Sequence, residues 1–283
     1  MKTLTLVLGK LNLCMNSFLS LKNKISDARA LDFGDILNES LQLFKKTWLQ
    51  GFLFFLILIV IMMPILMAIY IPMYLSIMDQ IQNGGLGADA AGNWIYYQGY
   101  TFRFLIIGLA GLISLVSVPV TAGFYGIVHK IDTSQDYGFK DFFHFFKKDY
   151  VMKIVAIAVF SLVVGLINFG IEKTLPQLLA SLVNAVISGV FSIYTMLLVV
   201  FMAYNPELDV ASIFNLSFNL GAKKFWLILG LLIVTGIIGF LGIIACFIGA
   251  LFTFPIVYLP VYLVYKEVIG FNIVSDIDKI GTE

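Results

Sequence analysis

Between Lys224 and Lys266 the chain carries not one charged residue. A helix crosses the hydrocarbon core of a bilayer in roughly 20 residues, so residues 225–265 hold two crossing helices and a tight turn. Gly249 and Pro255 place that turn near residues 248–253. Four more apolar runs are each long enough for one crossing: 48–78, 104–128, 154–171 and 178–204. Inside hydrocarbon every backbone N–H and C=O must find a partner within the protein, which a helix achieves by itself. The expectation is an all-α polytopic membrane protein with six transmembrane helices.

Composition agrees. Only 12% of the 283 residues are charged, about half the share of a soluble domain. The net charge of +1 gives no reason to expect nucleic acid as a partner. Cys14 and Cys246 are too few for a metal or disulfide framework and read as packed thiols. The opening residues lack a cleavage site for secretion, and Met15 is an alternative start. Residues 1–31 are expected to be a flexible tail, residues 32–270 the membrane domain, and residues 271–283 a second tail.

The basic residues set the orientation. Sixteen of the 18 Lys and Arg residues fall before span one, after span six, or between even and odd spans; only Arg103 and Lys173 fall on the other side. Short cytoplasmic segments carry such an excess, so both termini are expected in the cytoplasm. The opposite loop holds Trp94, Tyr96, Tyr97 and Tyr100. These rings suit either the headgroup level or a ligand.

A pattern recurs before each odd-numbered span. The first copy is DILNESLQLFKKTW at 35–48, the third is SIFNLSFNLGAKKFW at 212–226, and the middle one is DFFHFFKKDY at 141–150. Each ends in a Lys-Lys pair followed by aromatic residues, with apolar positions at helical spacing. Such segments lie in the interface with lysines toward headgroups. Three short cytoplasmic-side interfacial amphipathic helices are therefore expected. Pro119 precedes Lys130 at the spacing by which Pro255 precedes Lys266. The organisation expected is three hairpin repeats, about 32–130, 137–204 and 207–268.

The DFGDIL opening at 32–37, Pro119-x-x-x-Gly123, the FKDFF at 139–143 and Gly249-x5-Pro255 resemble a broad group of uncharacterised bacterial six-helix integral membrane proteins. They are also similar to the membrane region fused to some glycerophosphodiester phosphodiesterases. The resemblance spans about 32–270. It implies a bacterial cytoplasmic membrane and no particular activity, and no phosphodiesterase domain is expected within these residues.

Catalytic chemistry is hard to assemble. No ionisable group lies deep within a span, where pumps and ion-coupled carriers need one. The two histidines, His129 and His144, have no nucleophile elbow or ligand cluster beside them, so neither an enzyme nor a cofactor is expected. Neutral polar residues do occur inside spans: Asn168, Asn184, Ser188, Ser192, Tyr194 and Thr195. They fit a hydrophilic groove or interhelical hydrogen bonds. Two readings of function follow. In the first, a scaffold or accessory subunit presents Lys45, Lys46, Lys147, Lys148, Lys223 and Lys224 to anionic lipid headgroups, to a membrane partner or to a second copy. In the second, an uncoupled transporter or lipid-handling protein uses a neutral groove at Asn168, Asn184, Ser188 and Tyr194. Gly230, Gly236, Gly239 and Gly242, like Gly108 and Gly111, fit close helix packing or a gate.

Overall fold

The computed structural model describes residues 2–82, 99–245 and 247–271; Trp94, Tyr96, Tyr97, Cys246 and the tail from 272 onward lie outside them. The fold is all-α. Its helices are α1 (Lys2–Asp27), α2 (Phe33–Gln82), α3 (Gly99–Asp132), α4 (Lys148–Thr174), α5 (Gln177–Tyr204), α6 (Val210–Lys223), α7 (Phe225–Ala245), α8 (Phe247–Thr253) and α9 (Leu259–Ile269). A 3-10 turn, Phe139–Phe143, precedes α4, and another, Phe254–Tyr258, joins α8 to α9. Among the described residues six helical segments are long and apolar enough to cross a membrane, the sixth running from Gly249 to Ile269.

Three expectations change. Residues 1–31 hold a helix, α1, in place of a loose tail, and its Leu21 and Ile25 are buried in the core. The turn expected near 248–253 lies earlier, because α7 ends at Ala245 and α8 has begun by Phe247. The cause is the α7–α8 crossing. A Cβ on Gly242 would lie 2.6 Å from the Gly249 carbonyl oxygen, and one on Gly249 would lie 2.4 Å from the Gly242 oxygen. Thr253 fastens the crossing by donating to the Gly239 carbonyl (2.7 Å). Pro255 and Pro260 remove two backbone donors, and between them the helix tightens into the 3-10 turn.

The third change concerns the interfacial helices, since the recurring pattern takes three different forms. The first copy runs without a break into span one as part of α2. The middle copy begins in the 3-10 turn and ends in the first turn of α4; the 3-10 turn is held by Asp141, whose carboxylate accepts from Gly138 N–H (2.8 Å) and Lys130 (2.8 Å). Burial pushes this carboxyl's pKa up, but the hydrogen bonds from Lys130 and Gly138 and the charges of Lys130 and His144 outweigh it and hold the group below its usual value. Only the third copy is a separate amphipathic helix, α6, which ends where Lys224 leaves helical geometry.

The packed core lies toward the lysine-rich end. Nearly every residue of 118–128 in α3, 197–203 in α5 and 259–265 in α9 is buried. Toward the other end, Leu166 and Ile167 of α4 and Leu178, Leu182 and Val186 of α5 are exposed. Of the glycines singled out, Gly111 meets Leu162 and Gly230 meets Phe33, whereas Gly108 and Gly236 have nothing nearby.

Candidate binding cavity

Lysines at the basic end are turned onto the ends of helices. Lys24 on α1 donates to the Ile269 carbonyl at the end of α9 (2.7 Å). Lys153, buried in the second turn of α4, donates to the carbonyls of Asn205 (3.3 Å) and Pro206 (2.8 Å) just past α5. Lys223 donates to the carbonyls of Ile25 (2.8 Å) and Ser26, and Lys224 to that of Arg29, at and beyond the end of α1. Helix C-termini leave carbonyls without partners and carry partial negative charge, so each lysine answers both needs. Lys224 is 7% exposed; burial, then the charge of Lys223, lowers its pKa. Lys223, expected at lipid headgroups, is exposed and also caps α1, and Lys224, expected there too, is buried and holds the segment just past α1. Lys45, Lys46, Lys147 and Lys148 remain exposed.

We expect the Lys223→Met, Lys224→Met double variant to release α1 while the bundle survives. Peptide-resolved hydrogen exchange would show faster exchange over residues 17–29, and unchanged exchange there would refute the capping role.

The expected neutral groove divides. Asn168 donates to Ser188 Oγ (3.0 Å) and Asn184 to the Asn168 carbonyl (3.2 Å), so α4 and α5 are laced together by their own amides. Tyr194 is not part of this group. It stacks on Phe218 with ring centres 4.6 Å apart and covers Gly221, because α6 packs on that side of α5.

Next to the amides lies a larger feature. A cavity of about 330 Å³ sits between α2, α3, α4, α5 and the second 3-10 turn. Seven serine and threonine residues line it: Ser114, Ser117 and Thr121 of α3, Ser161 of α4, and Ser188, Ser192 and Thr195 of α5. Leu58, Phe191 and Tyr258 supply apolar and aromatic wall, and no acidic, basic or histidine side chain is present. The α5 hydroxyls and Asn184 were legible from helical spacing in the sequence. Ser114, Ser117 and Thr121 follow a comparable spacing on α3, a signal the sequence reading missed, whereas Ser161 stands alone in its span.

Five of the seven hydroxyls share one hydrogen-bonding state, while Ser188 accepts from Asn168. Ser114 donates to the Ala110 carbonyl (2.9 Å), Thr121 to Ser117 (2.8 Å), Ser161 to Ile157 (3.1 Å), Ser192 to Gly189 (2.8 Å) and Thr195 to Phe191 (2.9 Å). A hydroxyl has one hydrogen, so each of these oxygens has only lone pairs left to offer. The wall accepts hydrogen bonds far more than it donates them.

The chain matches no known family, no curated protein and no solved structure.

A second, smaller pocket of about 130 Å³ lies at the basic end, lined by His129, Tyr204, Asn205 and Tyr265 beneath Leu21 of α1 and Phe271. Among the described residues no group of three His, Cys, Asp or Glu side chains is placed to hold a metal ion.

Proposed function

We propose that this membrane protein is an uncoupled carrier for a small uncharged solute rich in hydrogen-bond donors, of which a polyol is the simplest kind. The supporting observation is the mid-membrane cavity, whose wall pairs acceptor hydroxyls with apolar surface and carries no charge. Its volume falls within the range of small-molecule sites. A charged solute would meet no counter-charge there and would have to shed its water uncompensated. Proton coupling uses an intramembrane ionisable group, and this cavity has no acidic or basic one. The membrane we propose is a bacterial cytoplasmic one, with the lysine-rich end and both termini inside, and the protein acts without chemistry of its own.

The test is xylitol entry into proteoliposomes, read by stopped-flow light scattering. Entry should exceed that of protein-free vesicles and should not change when a proton or sodium gradient is imposed. Ser192→Phe, which places a ring in the cavity, should return entry to the protein-free rate while the thermal transition is retained. Wild-type entry at the protein-free rate would refute the proposal.

The scaffold reading keeps one supporting observation: Lys45, Lys46, Lys147 and Lys148 are exposed at the basic end, where anionic lipid or an acidic partner surface could meet them.

A further inference from the structure

The two pockets share walls. On α3, Thr121 lines the central cavity and His129 the basic-end pocket, with Tyr125 midway between them at intervals of four residues. Residues at that spacing share one helix face. In the sixth span Tyr258 lines the first and Tyr265 the second; on α5 Val199 lines the first and Tyr204 the second. Three elements therefore run continuously from one pocket to the other.

Tyr125 stands in the partition. It is 0% exposed, and its ring centre lies 6.1 Å from that of Tyr258. Its carbonyl accepts from the Tyr204 hydroxyl (2.6 Å). Its own hydroxyl is buried with no hydrogen-bond partner among the described residues. Leaving a buried hydroxyl unpaired costs about 1–3 kcal/mol, and a phenylalanine would fill the same space without that cost. An unpaired group of this kind is open to a partner that the resting fold does not supply.

We infer that the two pockets are successive stations on one path toward the basic end, and that the Tyr125 hydroxyl is the hydrogen-bonding group that takes the solute between them. The inference rests on the carrier reading and adds the route, the residue at its narrowest point and the lid, which is formed by α1 and Phe271. Phe271 packs tilted against His129 with ring centres 3.9 Å apart and stacks on Tyr262 at 5.5 Å, covering the second pocket. In the partition the solute exchanges hydrogen bonds with the hydroxyls of the cavity for one with Tyr125. It then meets the His129, Asn205 and Tyr265 side chains below.

The experiment is Tyr125→Phe in the same xylitol assay, together with the thermal transition of the detergent-solubilised protein. Loss of a hydrogen bond made only in passage should slow entry by about tenfold. The thermal transition should hold or rise, because an unpaired polar atom has been removed. Tyr204→Phe, which loses the bond to the Tyr125 carbonyl, should instead lower the transition. Wild-type xylitol entry in Tyr125→Phe would overturn the path while leaving the carrier reading intact. A Tyr125→Phe thermal transition several degrees lower would overturn it too, by showing that the hydroxyl is satisfied within the resting fold. No entry through the wild type would overturn both.

Discussion

Gly123→Ala is expected to lower the thermal transition by several degrees, corresponding to about 2 kcal/mol. A methyl group at this position of α3 would sit 2.3 Å from the carbonyl oxygen of Phe142 and 2.7 Å from its Cα. Real atoms do not approach so closely, and the obstacle is backbone, which cannot rotate aside as a side chain would. The Phe139–Phe143 turn must then lift from α3. In doing so it strains the Lys130–Asp141 ion pair and exposes Phe142, now 2% exposed. Hydrogen exchange over residues 138–146 should rise with the loss of stability. Gly236→Ala is the control, because nothing lies within 4 Å of its position in α7. In a helix interior that change should be neutral or slightly stabilising. Equal transitions for the two variants would show that the turn does not press on α3 as described.

Replacing Asp132 by alanine is expected to cost about 2–3 kcal/mol. One of its carboxylate oxygens accepts from Lys266 (2.6 Å) and from the Tyr262 hydroxyl (3.0 Å), which ties the end of α3 to α9. The Asp132 side chain is 17% exposed. Its removal leaves an ammonium and a phenol facing a gap. His129, whose Nδ1 lies 3.3 Å from the same phenol, then loses a fixed neighbour. Asp132→Asn keeps an acceptor and drops the charge, so it should restore part of the loss. The thermal transitions of the two variants give the comparison. If alanine and asparagine are both indistinguishable from the wild type, the α3–α9 tie contributes nothing measurable.

How far the site was legible follows from what each signal encodes. Asn168, Asn184 and Ser188 were visible because polar side chains inside an apolar run are costly unless they meet each other, and the structure brings these three together. Tyr194 carried the same signal and was misplaced, since spacing along α5 gives a face but not the neighbour it meets. The cavity needed Ser114, Ser117 and Thr121 from a third helix, α3, and Ser161 from another turn of α4 as well. No pattern along one helix reveals that several faces converge. The role of Tyr125 was beyond sequence for the same reason: an unpaired hydroxyl is a statement about everything around it.

The lysines teach a related lesson. Their distribution along the chain marks one end of the bundle, and that much is a property of the sequence. Which of them meet lipid depends on where helices end in space. Lys223 and Lys224 look identical to Lys45 and Lys46 in sequence, yet Lys223 reaches carbonyls of α1 and Lys224 is buried against the segment that follows it, whereas Lys45 and Lys46 stay exposed.

By itself the sequence determined the class and the count: all-α, with six segments able to cross a membrane. Apolar length and the need to satisfy each backbone group within its own helix are local constraints, and local constraints are written in order along the chain. The tertiary structure decided what one recurring pattern becomes. The first copy continues unbroken as α2, with its Ile36, Ser40, Leu43 and Thr47 buried. The middle copy is drawn into a 3-10 turn by Gly138, Lys130 and the bare backbone at Gly123. The third is broken at Lys224, whose ammonium is turned toward α1. The same amphipathic signal leaves these outcomes nearly equal in energy, so contacts from residues far along the chain choose among them.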